Sequence, residues 1–122
     1  MAHRPGVISS DVLTIRSVTD FYFHISLVSE LMNLDDLYTV IASRKGGNPE
    51  ESYTASLFDK GIAKIAQKVG EEAVETVIDG VSGPKERVIS ESADLLYHLL
   101  VLWAARDVNP NEIWAELGKR VK

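Results

Sequence analysis

From Ala93 to Ala105 only Asp94 and His98 are polar, apart from the Tyr97 hydroxyl. A helix over this stretch is apolar on nearly every side, so it must be covered on nearly every side. In a chain of 122 residues the helices of one copy can hardly supply that cover. The stretch therefore predicts a core helix that also meets another subunit. The apolar run Leu95 to Ala105 is broken by His98 and is about half the roughly 20 residues that cross a bilayer, so a core helix is the expectation and a membrane partner is not.

The rest of the chain from residue 33 carries helical signals. Asn33 suits an N-cap, Asp35 and Asp36 suit a first turn, and Leu34, Leu37, Tyr38 and Ile41 recur at helical spacing, which predicts a first helix ending near Arg44 and Lys45. Gly46-Gly47-Asn48-Pro49 reads as a loop, and Ser52 or Thr54 as the next cap. A second helix is expected from about Tyr53 to Asp79, bent or interrupted at Gly61 and Gly70, with Phe58, Ile62, Ile65, Ala66, Val69, Ala73 and Val77 on one apolar face. Gly80-Val81-Ser82-Gly83-Pro84 should end it and turn the chain. A third helix follows from about Lys85 to Arg106. Asn109-Pro110-Asn111-Glu112 starts a fourth, with Asn as cap, Pro at the first position and Glu at the third. The fold class is thus all-α, a bundle of about four helices.

Residues 1–31 differ. They are rich in β-branched and aromatic residues, without a helical stripe and without a later strand-like segment to pair with. They are expected to form an N-terminal extension, poorly ordered or packed on a partner, ahead of a single domain at 32–122.

Charge and composition exclude several functions. Thirteen Lys and Arg against eighteen Asp and Glu give a net charge of -5, the wrong sign for holding nucleic acid through its phosphates. With no cysteine there is no disulfide, thiolate nucleophile or Cys-based zinc site, and no apolar leader is evident near the N-terminus, so a cytoplasmic location is expected.

Five acids carry the chemistry. Glu71, Glu72 and Glu75 lie in one helix and Glu91 and Asp94 in the next, and helical spacing gathers Glu72 with Glu75 and Glu91 with Asp94. Taken alone, Glu71-Glu72-x-x-Glu75 reads most simply as a solvated face paired with lysines. Asp94 shifts that judgement, because a buried carboxylate costs several kcal/mol unless it is paired, protonated or ligating a cation. Two acid pairs facing each other across an antiparallel helix pair would form an oxygen cage suited to Mg²⁺, which also takes substrate phosphates. A nucleotide phosphoanhydride is the first substrate to consider. His98, one turn beyond Asp94, reads as a core histidine hydrogen-bonded to that carboxylate or to backbone, adjoining the site at most indirectly. Lys64 and Lys68 read first as helix-surface lysines, but beside a metal cage they could neutralise phosphate oxygens. Trp103 and Trp114 read as core.

Ser52-Tyr53-Thr54-Ala55-x-Leu57-Phe58-x-Lys60-Gly61, Lys68-Val69-Gly70-Glu71-Glu72-x-x-Glu75 and Glu91-x-x-Asp94-Leu95-Leu96-Tyr97-His98-Leu99-Leu100 together resemble the phosphoribosyl-ATP pyrophosphohydrolase family of histidine biosynthesis. That family is part of the all-α, MazG-like nucleotide pyrophosphatase superfamily. The two-part acid motif marks the superfamily, and the Ser-Tyr-Thr and Leu-Leu-Tyr-His-Leu-Leu segments mark the histidine enzyme. The resemblance covers about Met32 to the C-terminus. It implies Mg²⁺-dependent hydrolysis of phosphoribosyl-ATP between the α- and β-phosphates and a homo-oligomer, at least a dimer. It implies Glu72, Glu75, Glu91 and Asp94 as metal ligands, with Glu71 as a candidate for orienting or deprotonating the attacking water. On the same resemblance, Glu71, Glu72 and Glu75 would form the catalytic set, and Ser52, Tyr53, Thr54, Lys64, Lys68 and His98 the substrate-binding set.

Residues 1–31 have no counterpart in these motifs, whether as a native addition or through an early start assignment. The cyclohydrolase often fused to this enzyme needs cysteines and length that the chain lacks. Two other readings compete: a MazG-like housecleaning enzyme using the same cage on (deoxy)nucleoside triphosphates, and a non-enzymatic helical interaction protein whose acids are surface decoration.

Overall fold

The computed structural model describes residues 32–121, and the expectations for residues 1–31 lie outside them. Among the described residues there are five helices and no strand: α1 Leu34–Ser43, α2 Tyr53–Lys60, α3 Ile62–Ser82, α4 Lys85–Ala105 and α5 Pro110–Arg120.

The predicted caps form. The Asn33 side chain accepts from the Asp36 amide while the Asp36 carboxylate accepts from the Asn33 amide, closing a capping box on α1. Ser52, not Thr54, caps α2, its hydroxyl accepting from the Ala55 amide at 3.1 Å. At α5 the Asn109 side chain accepts from the Asn111 amide, the Glu112 carboxylate accepts from the Asn109 amide, and Pro110 opens the helix.

The long second helix expected from the sequence is two helices. Gly61 has φ +96, a backbone state that L side chains rarely adopt, and there α2 ends and α3 begins. Gly70, in contrast, leaves α3 unbroken. Its propensity cost of about 1 kcal/mol is small beside the packing of the flanking turns. Nor does Gly80 stop α3, which continues to Ser82. The stop is set by Pro84, which disfavours helical geometry in the residue before it; Gly83 accordingly sits extended at φ -89, ψ 167.

The core lies at one end of the bundle. Ile41 from α1, Leu57 from α2, Ile65 from α3, and Tyr97, Leu100, Val101 and Ala104 from α4 are buried together, ringed by Leu34, Leu37, Tyr38, Phe58, Leu102 and Trp103. The Tyr38 hydroxyl donates to the Val108 carbonyl at 2.8 Å, tying α1 to the link between α4 and α5. Trp103 meets Trp114 edge-to-face, and the indole N–H of Trp114 donates to Asp35; Trp114 stays partly exposed and so rims the core.

The most extensive helix pair is α3 with α4, joined by only Gly83 and Pro84 and therefore antiparallel. Beyond Glu72 this hairpin extends past the core. Val77 on α3, expected on the buried face, is 64% exposed, and Ile62 and Ala66 are also exposed. The inward face of α3 instead runs through Ile65, Val69, Glu72, Ala73, Thr76 and Asp79. With Ile65 in the core and Glu72 turned toward α4, 100° per residue carries Val74, Val77, Ile78 and Val81 outward. Helix α4 spans Lys85–Ala105, as expected to within one residue, and contains an 18-residue window of mean hydropathy 1.3, a value that the core helix of a globular protein also reaches. Its acids face α3 and its second half forms the core described above.

Candidate functional site

The α3–α4 hairpin brings Glu72, Glu91 and Asp94 together, with one carboxylate oxygen from each lying within 4.8 Å of the others. Glu72 and Glu91 are 7% and 5% exposed; Asp94, expected from the sequence to be the buried carboxylate, is only partly covered and keeps an exposed face, because it lies at the open side of the helix pair, and Glu75 lies beside them at the exposed edge. Helical spacing on each strand of the hairpin accounts for the grouping: Glu72 and Glu75 are one turn apart, as are Glu91 and Asp94.

The electrostatics are those of carboxylates short of positive charge. Burial and then the Glu75 carboxyl push Glu91 up to about 7, with Arg87 pulling the other way. Burial followed by Asp94 and Glu75 raises Glu72. Burial also raises Asp94, offset in part by His98 and reinforced by Glu75. Two oxygens, Glu72 Oε2 and Glu91 Oε2, are buried with no hydrogen-bond partner. Such atoms are costly unless something absent from the protein chain meets them. An all-oxygen donor set with two unpartnered buried carboxylate oxygens fits a hard divalent cation such as Mg²⁺.

The neighbouring cations are held on the flanks. Lys68 Nζ lies 3.2 Å from Glu71 and 3.5 Å from Glu72. Burial opposes its charge, but the hydrogen bond to Glu71 and the nearby Tyr53, Glu71 and Glu72 hold its pKa above the ordinary lysine range. Glu71 faces outward. It accepts from the Gln67 side chain at 2.8 Å, and Gln67 and then Lys68 depress its pKa. Glu71 also borders a shallow depression shared with Gln67, Gly70, Val74 and Glu75. Lys64, half-buried on the same helix, contributes to holding Glu71 charged.

On the α2 side, His98 is buried and bonds backbone rather than the Asp94 carboxylate: its Nδ1–H donates to the Asp94 carbonyl at 2.7 Å. Nε2 is then the acceptor, and the Tyr53 hydroxyl donates to it at 3.2 Å. Burial lowers the His98 pKa and favours this neutral ring. Tyr53, partly exposed, has its phenol raised chiefly by burial, with Glu72 and Asp94 close enough to add to the effect. Behind it, Thr54 is buried and hydrogen-bonded to the Tyr97 hydroxyl at 2.6 Å, and Tyr97, mainly through burial, is pushed up to about 12. Ser52 is committed to the cap. Of the Ser-Tyr-Thr segment, Tyr53 alone faces the acids while its two neighbours hold it in place.

Two residues of the neighbourhood escaped the sequence reading. Arg87 contacts Glu91 at 3.0 Å and Asp79 at 3.5 Å. The i,i+4 spacing of Arg87 and Glu91 is a signal that would have found the first contact; the second crosses the hairpin and has no local signature.

Residues 34–121 match the family described as phosphoribosyl-ATP pyrophosphohydrolase. Similar proteins named phosphoribosyl-ATP pyrophosphatase include one from Paramagnetospirillum magneticum, 62% identical over 87 residues that cover 71% of this chain and 80% of the relative. One from Azospirillum brasilense is 61% identical, covering 71% and 78%, and one from Trichlorobacter lovleyi is 59% identical, covering 71% and 81%. The matched span begins at the first helix and contains both halves of the acid cluster, so the chain belongs to the phosphoribosyl-ATP pyrophosphohydrolase family.

Proposed function

We propose that this chain hydrolyses phosphoribosyl-ATP between its α- and β-phosphates, giving phosphoribosyl-AMP and pyrophosphate, the second step of histidine biosynthesis, with Mg²⁺ as cofactor. The observation that carries the reading is the cluster of Glu72, Glu91 and Asp94, in which Glu72 and Glu91 each keep a buried, unpartnered oxygen, within a chain of this family. Glu72, Glu91 and Asp94 would hold the cation, and Glu75 would complete the set from the exposed edge. When bound, Mg²⁺ supplies positive charge against the phosphate oxygens and favours ionisation of the attacking water.

The chain's own residues divide the remaining work. Glu71 is kept as a carboxylate by Gln67 and Lys68 and stands at the solvent side of α3, where it can accept a proton from water or orient it. Lys68 and Lys64 meet phosphate oxygens. Tyr53 borders the substrate with its ring, held by His98, and Ser52 and Thr54 act through it. The protein works as a homo-oligomer in the cytoplasm, without nucleic-acid or membrane partners. Support for the oligomer comes from the exposed apolar faces of α3 and α4.

The test is pyrophosphate release from phosphoribosyl-ATP with Mg²⁺, run beside ATP and a panel of deoxynucleoside triphosphates. Release from phosphoribosyl-ATP is expected, stopped by EDTA and reduced more than ~100-fold in Glu72→Gln and Asp94→Asn, beyond the usual effect of residues that only support a metal ligand. Release chiefly from the triphosphates, or activity retained in either variant, would count against the proposal.

A further inference from the structure

At the turn between α3 and α4, Gly83 lies so close to Asp79 that an added Cβ would stand 2.5 Å from Asp79 Oδ1 and 2.8 Å from its Cα. The Gly83 amide donates to the Asp79 carbonyl at 2.8 Å. This close approach sets Arg87, on the first turn of α4, within reach of α3. Its Nε lies 3.5 Å from Asp79 Oδ2 and its Nη2 3.0 Å from Glu91 Oε1. The guanidinium fork thereby links two carboxylates that are 16% and 7% exposed. It engages one oxygen of Glu91 and leaves the other, Oε2, buried and unpartnered, on a carboxylate that comes within 4.8 Å of those of Glu72 and Asp94.

We propose that Arg87, anchored by Asp79, is a positioning residue that fixes the Glu91 carboxylate so that its free oxygen is presented to a divalent cation. The inference rests on the metal-site reading above. A cation beside the site would ordinarily repel a metal ion, but Asp79 offsets the guanidinium charge, so the pair acts through geometry with little net field. Planarity matters here: a fork holds one carboxylate oxygen while bracing against a second acid, which a point charge on a flexible stem does less well. Partners of this kind usually change metal affinity by about 10–100-fold.

The test is Mn²⁺ binding by the full chain, counted by electron paramagnetic resonance of the free ion, with thermal unfolding measured in parallel. Arg87→Met should weaken Mn²⁺ binding about tenfold, and the double variant Arg87→Met with Asp79→Asn should be no weaker, because both residues serve one relay. At saturating Mn²⁺ the turnover of Arg87→Met should stay within about twofold of the unchanged protein, the mark of a residue that presents a ligand without touching substrate. An Arg87→Met protein that melts lower yet binds Mn²⁺ as tightly as the unchanged chain would overturn the inference and leave the metal site standing. Absence of Mn²⁺ binding by the unchanged chain would overturn both.

Discussion

Glu91 joins stability to function in one side chain. Its carboxyl, ordinarily near 4.5, is pushed up to about 7 by burial and Glu75 against the pull of Arg87. The folded protein therefore holds this proton more tightly than the unfolded chain does. The associated stability is fully present below about pH 4.5 and is lost as pH rises through about 7. At about 1.36 kcal/mol per unit, and discounted because the cluster titrates together, the loss between pH 5 and pH 8 comes to about 2 kcal/mol. In EDTA, the unchanged protein should lose stability more steeply over this interval than Glu91→Gln, which has no proton to lose there. His98, whose depressed pKa acts in the opposite sense at lower pH, is common to both and cancels. Unfolding curves with equal pH slopes for the two proteins would refute this. Mg²⁺ at pH 8 should restore the lost stability, as a ligand that binds the folded state alone.

At the scale of elements, glycines with similar sequence settings do different work. Gly70 lies inside α3, where an added Cβ meets nothing within 4 Å, so Gly70→Ala should stabilise the chain by about 0.5–1 kcal/mol by lowering the freedom of the unfolded state. Gly83→Ala should instead destabilise it by about 1–3 kcal/mol, because the new methyl overlaps Asp79 across the turn. Urea unfolding of the two variants checks both signs, and a neutral Gly83→Ala would mean that the turn relaxes freely. Helix starts were legible because Asn33, Ser52 and Asn109 cap by short-range chemistry. The end of α3 was harder to read, since Gly80 permits a stop without demanding one and Pro84 acts through the residue before it.

For the molecule as a whole, the core occupies one end and the α3–α4 hairpin runs past it. Val74, Val77, Ile78 and Val81 on α3, with Ile89 and Leu96 on α4, face solvent, and Val81 is 83% exposed. Only 28% of the most apolar stretch of α4 is buried within the chain. Contiguous apolar surface of this kind is characteristic of interfaces, and a second copy offers an equal face. Sedimentation should give a dimer or larger assembly, and placing Glu at both Val77 and Val81 should shift it to a 13.5 kDa monomer. A monomeric unchanged protein would defeat the oligomer.

Periodicity, caps and the acid spacing established from sequence alone an all-α chain with two acid pairs on successive helices. Those are local properties, set within one or two turns by side-chain direction and backbone chemistry. What the tertiary structure decided is which face of α3 turns inward. The acid spacing already placed Glu72 toward the next helix, but the apolar pattern also put Val77 inside; packing on α4 keeps Glu72 inward and leaves Val77 out, because the direction of α3 is set by the short Gly83–Pro84 turn and by the core near Ile65. The same packing made Arg87 a neighbour of Asp79 and left two carboxylate oxygens without partners, while the contact of α2 with α4 bonded His98 to Tyr53. These pairings join residues on different helices, and spacing along one helix carries no information about them.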